Sequence, residues 1–95
     1  MTSNYDRMGK TLISLAIEHC LLQIGRSTFE KVESQLRARY QLSITDCYEH
    51  PQYLNEILKE TFGKSHTEVI KSIDSFLSEF RDERYIEEFM EKISH

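Results

Sequence analysis

Asp46-Cys47-Tyr48-Glu49-His50-Pro51-Gln52-Tyr53-Leu54-Asn55-Glu56-Ile57-Leu58-Lys59-Glu60-Thr61-Phe62-Gly63 is the stretch whose reading decides the fold. It holds the chain's only proline, one of its two cysteines and three of its aromatic residues. Pro51 has no N–H to lose in the first turn of a helix, and its ring pushes His50 out of the α region. From there Leu54, Ile57, Leu58 and Phe62 recur at helical spacing, and Gly63 supplies a stop. The pattern predicts helix three over Pro51–Phe62 with His50 at its cap. Just before it, Asp46 is expected to cap a single turn through Cys47–Glu49.

Upstream, helix one is predicted over about Tyr5–Ile24, after four frayed polar residues. Its main apolar stripe is Leu12, Ile13, Ala16, Ile17, Cys20 and Ile24. Leu15 and Leu22, seven apart, form a second patch on another side, and Leu21 adds apolar surface near the polar edge. A helix apolar on two sides is either central in the core or covered by a second chain. Gly25 is expected as a left-handed C-cap. Ser27 with Glu30 reads as a capping box opening helix two, about Thr28–Tyr40, which buries Phe29, Val32, Leu36 and Tyr40. So short a link predicts an antiparallel hairpin. Gln41–Thr45 carries no helical stripe and reads as a short extended connection.

Downstream, Ser65 and Glu68 suggest a second capping box. Helix four is predicted over about His66–Phe80, with Val69, Ile73, Phe76 and Phe80 on one seam and Ile70 and Leu77 beside it. Ile86, Phe89, Met90 and Ile93 form a last stripe, and Asp82 as a cap favours separating it as helix five. The reading is a single all-α domain over residues 1–95, of four to five helices: an N-terminal antiparallel hairpin, a central Pro-started helix and a C-terminal helical pair.

Composition narrows the function classes. Three glycines and one proline argue against a chain of tight β turns. Residues 1–48 carry six Lys/Arg against five Asp/Glu, whereas residues 49–95 carry six against eleven, within a net charge of −4. The acidic half repels a phosphate backbone, so nucleic acid is not the expected partner. The run Leu12–Ile24 after Arg7 and Lys10 superficially resembles a secretory signal. Glu18 and His19 interrupt it, and no small-residue cleavage site follows before Gly25. It is also too short and too polar to span a membrane. Cys20 and Cys47 do not make a disulfide framework and are expected as reduced thiols in a cytoplasmic protein.

The candidate chemistry is sparse. Gly9-Lys10-Thr11 matches the end of a phosphate-binding loop, but Asn4 stands where the motif needs its first glycine and no strand precedes it. Cys47 and His50 have zinc-like spacing, with His19 and Cys20 as further soft ligands. Adjacent helix residues point about 100° apart, so His19 and Cys20 are poor joint ligands, and no metal or cofactor is expected. A thiol near a helix N-terminus has a lowered pKa, which would make Cys47 reactive. No orienting group or oxyanion site accompanies it, so the chain is not expected to be an enzyme. The dense C-terminal carboxylates interleave with Arg81, Arg84 and Lys92 as a solvated helix face. Arg26, Lys31, Arg37 and Arg39 make helix two the most basic element, a thin case for a DNA-binding regulator. Tyr48 and Tyr53 flank Pro51, and tyrosine favours the edge of a core or an interface. Cys47, Tyr48, His50 and Tyr53 are therefore the candidate ligand-binding cluster. Leu15 and Leu22 are the candidate interface.

Ile24-Gly25, the run Phe29 to Tyr40, Asp46 to Pro51, Tyr53-Leu54 and Leu58 through Gly63 resemble a small archaeal all-helical domain family of unknown function, associated with the output end of signalling proteins. The likeness covers about Leu12–Leu77. It implies an intracellular, non-catalytic regulatory role and carries over no catalytic residue. No sensor domain accompanies these helices, which gives the expectation that the chain acts alone. The sequence thus leads to a helical interaction or signalling-output module, a homo-oligomer or bound to a protein partner. A small-ligand or metal-binding domain at the Asp46–Pro51 turn is the alternative.

Overall fold

Proline and glycine set the middle of the molecule, and the computed structural model, which describes residues 4–80 and 83–93, builds outward from them. The fold is all-α. Five α-helices follow one another among the described residues: α1 (Asn4–Ile24), α2 (Arg26–Tyr40), α3 (Pro51–Phe62), α4 (His66–Leu77) and α5 (Arg84–Ile93). Single 3-10 turns lie at Ile44–Tyr48, Gly63–Ser65 and Ser78–Phe80.

α3 has the bounds its sequence dictates. Pro51 opens it, and Gly63 closes it at φ 59°, ψ −128°, a conformation that only glycine adopts without strain. Leu54, Ile57 and Leu58 are fully buried against α2, α4 and α5, and Phe62 is half-buried. Asn55 is the buried polar side chain among the described residues. Its amide donates to the backbone carbonyl of Ile93, at the last turn of α5, where helical carbonyls lack partners of their own. One side chain of α3 thus caps α5.

α1 is the other organiser. It packs on α2, α4, α5 and the Ile44–Tyr48 turn. Ile13, Ala16, Ile17, Cys20 and Leu21 form its inner face, joined in one core by Val32, Leu36, Ile44, Cys47, Ile73, Leu77, Ile86, Phe89, Met90 and Ile93. Each Leu or Ile sealed this way contributes roughly 1.5–3 kcal/mol of transfer free energy. Two residues of α1 depart from expectation. Leu21 is fully buried rather than at the polar edge and belongs to the common core. Ile24, expected in the inner stripe, is 52% exposed, because α1 ends there and the chain turns away at Gly25.

The caps differ more than the helices. Gly25 is extended, at φ 163°, not left-handed, and it serves as the N-cap of α2. Its N–H donates to Leu21 (3.1 Å) and its carbonyl accepts from Phe29 (3.1 Å), so one residue closes α1 and opens α2. This hairpin places Ser27 inside the first turn of α2, and the expected Ser27–Glu30 box does not form. Ser65 is likewise absorbed into a 3-10 turn with helical φ and ψ and makes no side-chain cap. The C-cap of α2 is Gln41, left-handed at φ 57°. The connection after it is extended at Ser43 but not over the whole expected Gln41–Thr45, because Gln41 is left-handed and the 3-10 turn begins at Ile44. Asp46 is not that turn's cap residue; it lies inside it and reaches back to Ser43, accepting from the Ser43 N–H (2.9 Å) and hydroxyl (3.1 Å). α4 and α5 are separate helices. The Glu83 carbonyl accepts from the N–H groups of Ile86 (3.1 Å) and Glu87 (3.2 Å). Residues 1–3 of the predicted frayed segment and the predicted cap Asp82 lie outside the described residues; Asn4 is helical.

Candidate functional site

The four residues around Pro51 do not converge. A 3-10 turn followed by a helix start sends the side chains three ways: Cys47 to the core, Tyr48 toward α1 and α5, and His50 with Tyr53 toward α2.

Cys47 points into the core and is fully buried. Its thiol lies 3.7 Å from the Ser43 carbonyl, to which it donates. Burial, with the Asp46 carboxylate adding to it, pushes the thiol up to about 12. That is opposite to the lowered pKa expected near a helix N-terminus, because desolvation outweighs the weak field of a single turn. Cys47 is a packing residue. Cys20 is buried too, and its thiol is also raised by burial.

Tyr48 turns toward α1 and α5. Its ring meets Tyr85 edge-on, with centroids 6.5 Å apart. Both rings press on Gly9. A Cβ there would stand 2.7 Å from a Tyr85 ring carbon and 3.2 Å from Tyr48 Cζ. The Gly9-Lys10-Thr11 triplet is thus interior to a helix, and its glycine is there to admit two rings, not a phosphate. Beside the rings opens a cleft of about 400 Å³ with Phe89 in its wall and Lys10, Glu49, Glu88 and Lys92 at its rim. Lys10 and Glu49 are paired at 2.7 Å.

His50 and Tyr53 face α2 instead. Tyr53 stacks on Tyr40 (centroids 4.2 Å, planes 17° apart) and on His50 (5.5 Å, 27°). The Tyr40 hydroxyl donates to Glu56, Arg39 donates to Glu60, and the Arg39 guanidinium lies over the Tyr40 ring at 5.5 Å. The hydrogen bond to Glu56 raises the Tyr40 pKa. This ladder ties α2 to α3. It also occupies Arg39, and Arg26 is bridged to Glu30 at 3.6 Å, so the basic character of α2 is partly neutralised within the fold. Among the described residues, no three His, Cys, Asp or Glu side chains are grouped as a metal site. No helix among them is long and apolar enough to cross a membrane.

The two leucines of α1, by contrast, do share a surface. Leu15 and Leu22 are 50% and 45% exposed, and Met8, seven residues before Leu15, is 54% exposed. At about 100° per residue the three lie within about 40° of one another, on the side of α1 away from Ile13 and Ile17. The line is about 21 Å long. At its Met8 end it opens into an apolar groove of about 350 Å³, walled by Met8, Leu12, Phe80 and Tyr85 with Thr11 and Glu83 at the edge. Sequence reading found the two leucines and missed Met8 and the groove. The seven-residue spacing was a signal for Met8. The groove needs α4 and α5 to be placed against α1, which no local pattern specifies. No family model, no curated protein and no solved structure matches the chain.

Proposed function

We propose that this chain is a non-catalytic helical interaction module of the signalling-output kind, and that it self-associates through the outer face of α1. One observation carries the reading: Met8, Leu15 and Leu22 form a straight apolar line, about half-exposed, on the side of α1 that faces away from the core. Large apolar side chains aligned on a surface helix favour a second protein surface. The double variant Leu15→Lys, Leu22→Lys keeps the helical circular dichroism of the wild type and sediments as a monomer where the wild type associates. A wild type that stays monomeric at high concentration overturns the proposal.

A second reading has narrower support. The cleft beside Tyr48 has aromatic walls and two lysines and two glutamates at its rim, which suits a small zwitterion with an apolar side chain. Titration with aromatic amino acids, followed through the Tyr48 and Tyr85 ring resonances, shifts both if the cleft is a site. Unmoved resonances at millimolar ligand remove this reading.

A further inference from the structure

The outer face of α1 also contains information about how a second copy sits on it. We infer, resting on the self-association proposed above, that two copies pair with their α1 helices antiparallel about a twofold axis at Leu15. Leu22 of each copy then enters the apolar groove beside Met8 of the other.

A twofold interface must be complementary to itself, with the residue on the axis meeting its own copy and residues on either side exchanging places. The line Met8, Leu15, Leu22 has this symmetry. Its end residues stand seven positions from Leu15 in opposite directions, about 10.5 Å each way. Antiparallel pairing therefore sets Leu15 on its own copy and Leu22 level with Met8, at the mouth of the groove walled by Leu12, Phe80 and Tyr85.

Charge distinguishes this arrangement from the parallel one. A parallel, in-register pair brings together the two Gly25–Arg26 corners, where the Arg26 side chain is 87% exposed. Like charges across an interface are repulsive. Antiparallel pairing separates the two Arg26 corners and carries each to the end where exposed Glu83 edges the groove. Opposite charges then meet, and the two helix dipoles are opposed.

Size sets the strength. A single line about 21 Å long on one helix covers less than the roughly 800 Å² per partner of a standard interface. The dimer is accordingly concentration-dependent, with a dissociation constant in the micromolar range or weaker.

Single-cysteine variants under mild oxidation with diamide test the geometry, with the wild type as control because Cys20 and Cys47 are buried. Helices in contact at 8–10 Å between axes bring facing Cα atoms within disulfide reach. Leu15→Cys is expected to give a covalent dimer on its own. Met8→Cys and Leu22→Cys each stay monomeric alone, and their mixture gives a heterodimer. All three positions are exposed, so these variants keep the fold. If Met8→Cys and Leu22→Cys each cross-link to themselves and their mixture adds nothing, the pair is parallel; self-association survives and this inference falls. If the wild type associates yet none of the three cross-links, another face is used, and this inference falls again. If the wild type is monomeric at high concentration, both fall together.

Discussion

Along the inner side of α1, Ile13, Ala16, Ile17, Cys20 and Leu21 are 0–4% exposed, while along the outer side Met8, Leu15 and Leu22 are 45–54% exposed. Both sides consist of aliphatic or sulfur side chains at helical spacing. The inner one is covered by α2, α4, α5 and the Ile44–Tyr48 turn. Among the described residues, the outer one carries an apolar groove at one end. An apolar stripe thus records that a surface favours cover. What supplies the cover is decided by the rest of the chain or by another molecule.

The sharpest test sets one residue of each side against the other. Ile17→Ala leaves a cavity in the closed core and is expected to cost about 3–4 kcal/mol in urea unfolding. Leu15→Ala, measured at low micromolar protein, changes unfolding by less than about 0.5 kcal/mol but weakens association at high concentration. Equal costs for the two at low concentration would mean that Leu15 is inside the fold, and the contrast between the sides would be lost.

Gly9 marks where the inner side ends. Alanine normally stabilises a helix over glycine by about 1 kcal/mol, but here its Cβ runs into the Tyr85 ring. Overpacking of this kind costs about 1–3 kcal/mol, so Gly9→Ala is expected to lose on the order of 1 kcal/mol net. Thermal melts decide. A stabilised variant would show that the two tyrosines do not press on α1.

Two smaller effects concern the turn that covers the inner side. Gln41 holds the left-handed conformation that a side chain disfavours. Gln41→Gly relieves it and is expected to stabilise the protein by up to about 1 kcal/mol in urea unfolding, less the extra freedom glycine gives the unfolded chain. A destabilised variant would mean that the Gln41 side chain contributes contacts of its own.

Gln41 also shows what the sequence leaves unread. The bounds of α3 and the stripe of α5 were legible because Pro51, Gly63 and the Ile86–Ile93 spacing act locally. The caps at Ser27 and Ser65 were misread because serine three residues before glutamate is a cap only if the chain enters the helix there. The one-residue link at Gly25 and the 3-10 turn after Gly63 decided otherwise. The candidate ligand cluster is dispersed for a related reason. Cys47, Tyr48, His50 and Tyr53 are close in sequence, but the 3-10 turn sends Cys47 to the core, Tyr48 to Gly9 and Tyr85, and His50 with Tyr53 to Tyr40. The shared outward side of Leu15 and Leu22 was legible because both sit in one long helix, where spacing fixes direction.

Asp46 gives the smallest and most specific test of the turn. The Ser43 backbone N–H holds its carboxyl below the usual carboxylate range, with the Ser43 hydroxyl, Lys10 and His50 adding to the effect against partial desolvation. A carboxyl lowered on folding stabilises the protein above its unfolded pKa, about 4, and that contribution is lost as pH falls through the lower folded value. Asp46→Asn is therefore expected to cost on the order of 0.5 kcal/mol near neutral pH, the low end for a hydrogen bond because the pair is exposed to solvent. The gap between variant and wild type should close on acidification from about pH 5 to about pH 2. Paired urea titrations across that range are the measurement. A gap that stays constant would mean that the charge on Asp46 does not hold the turn against α1.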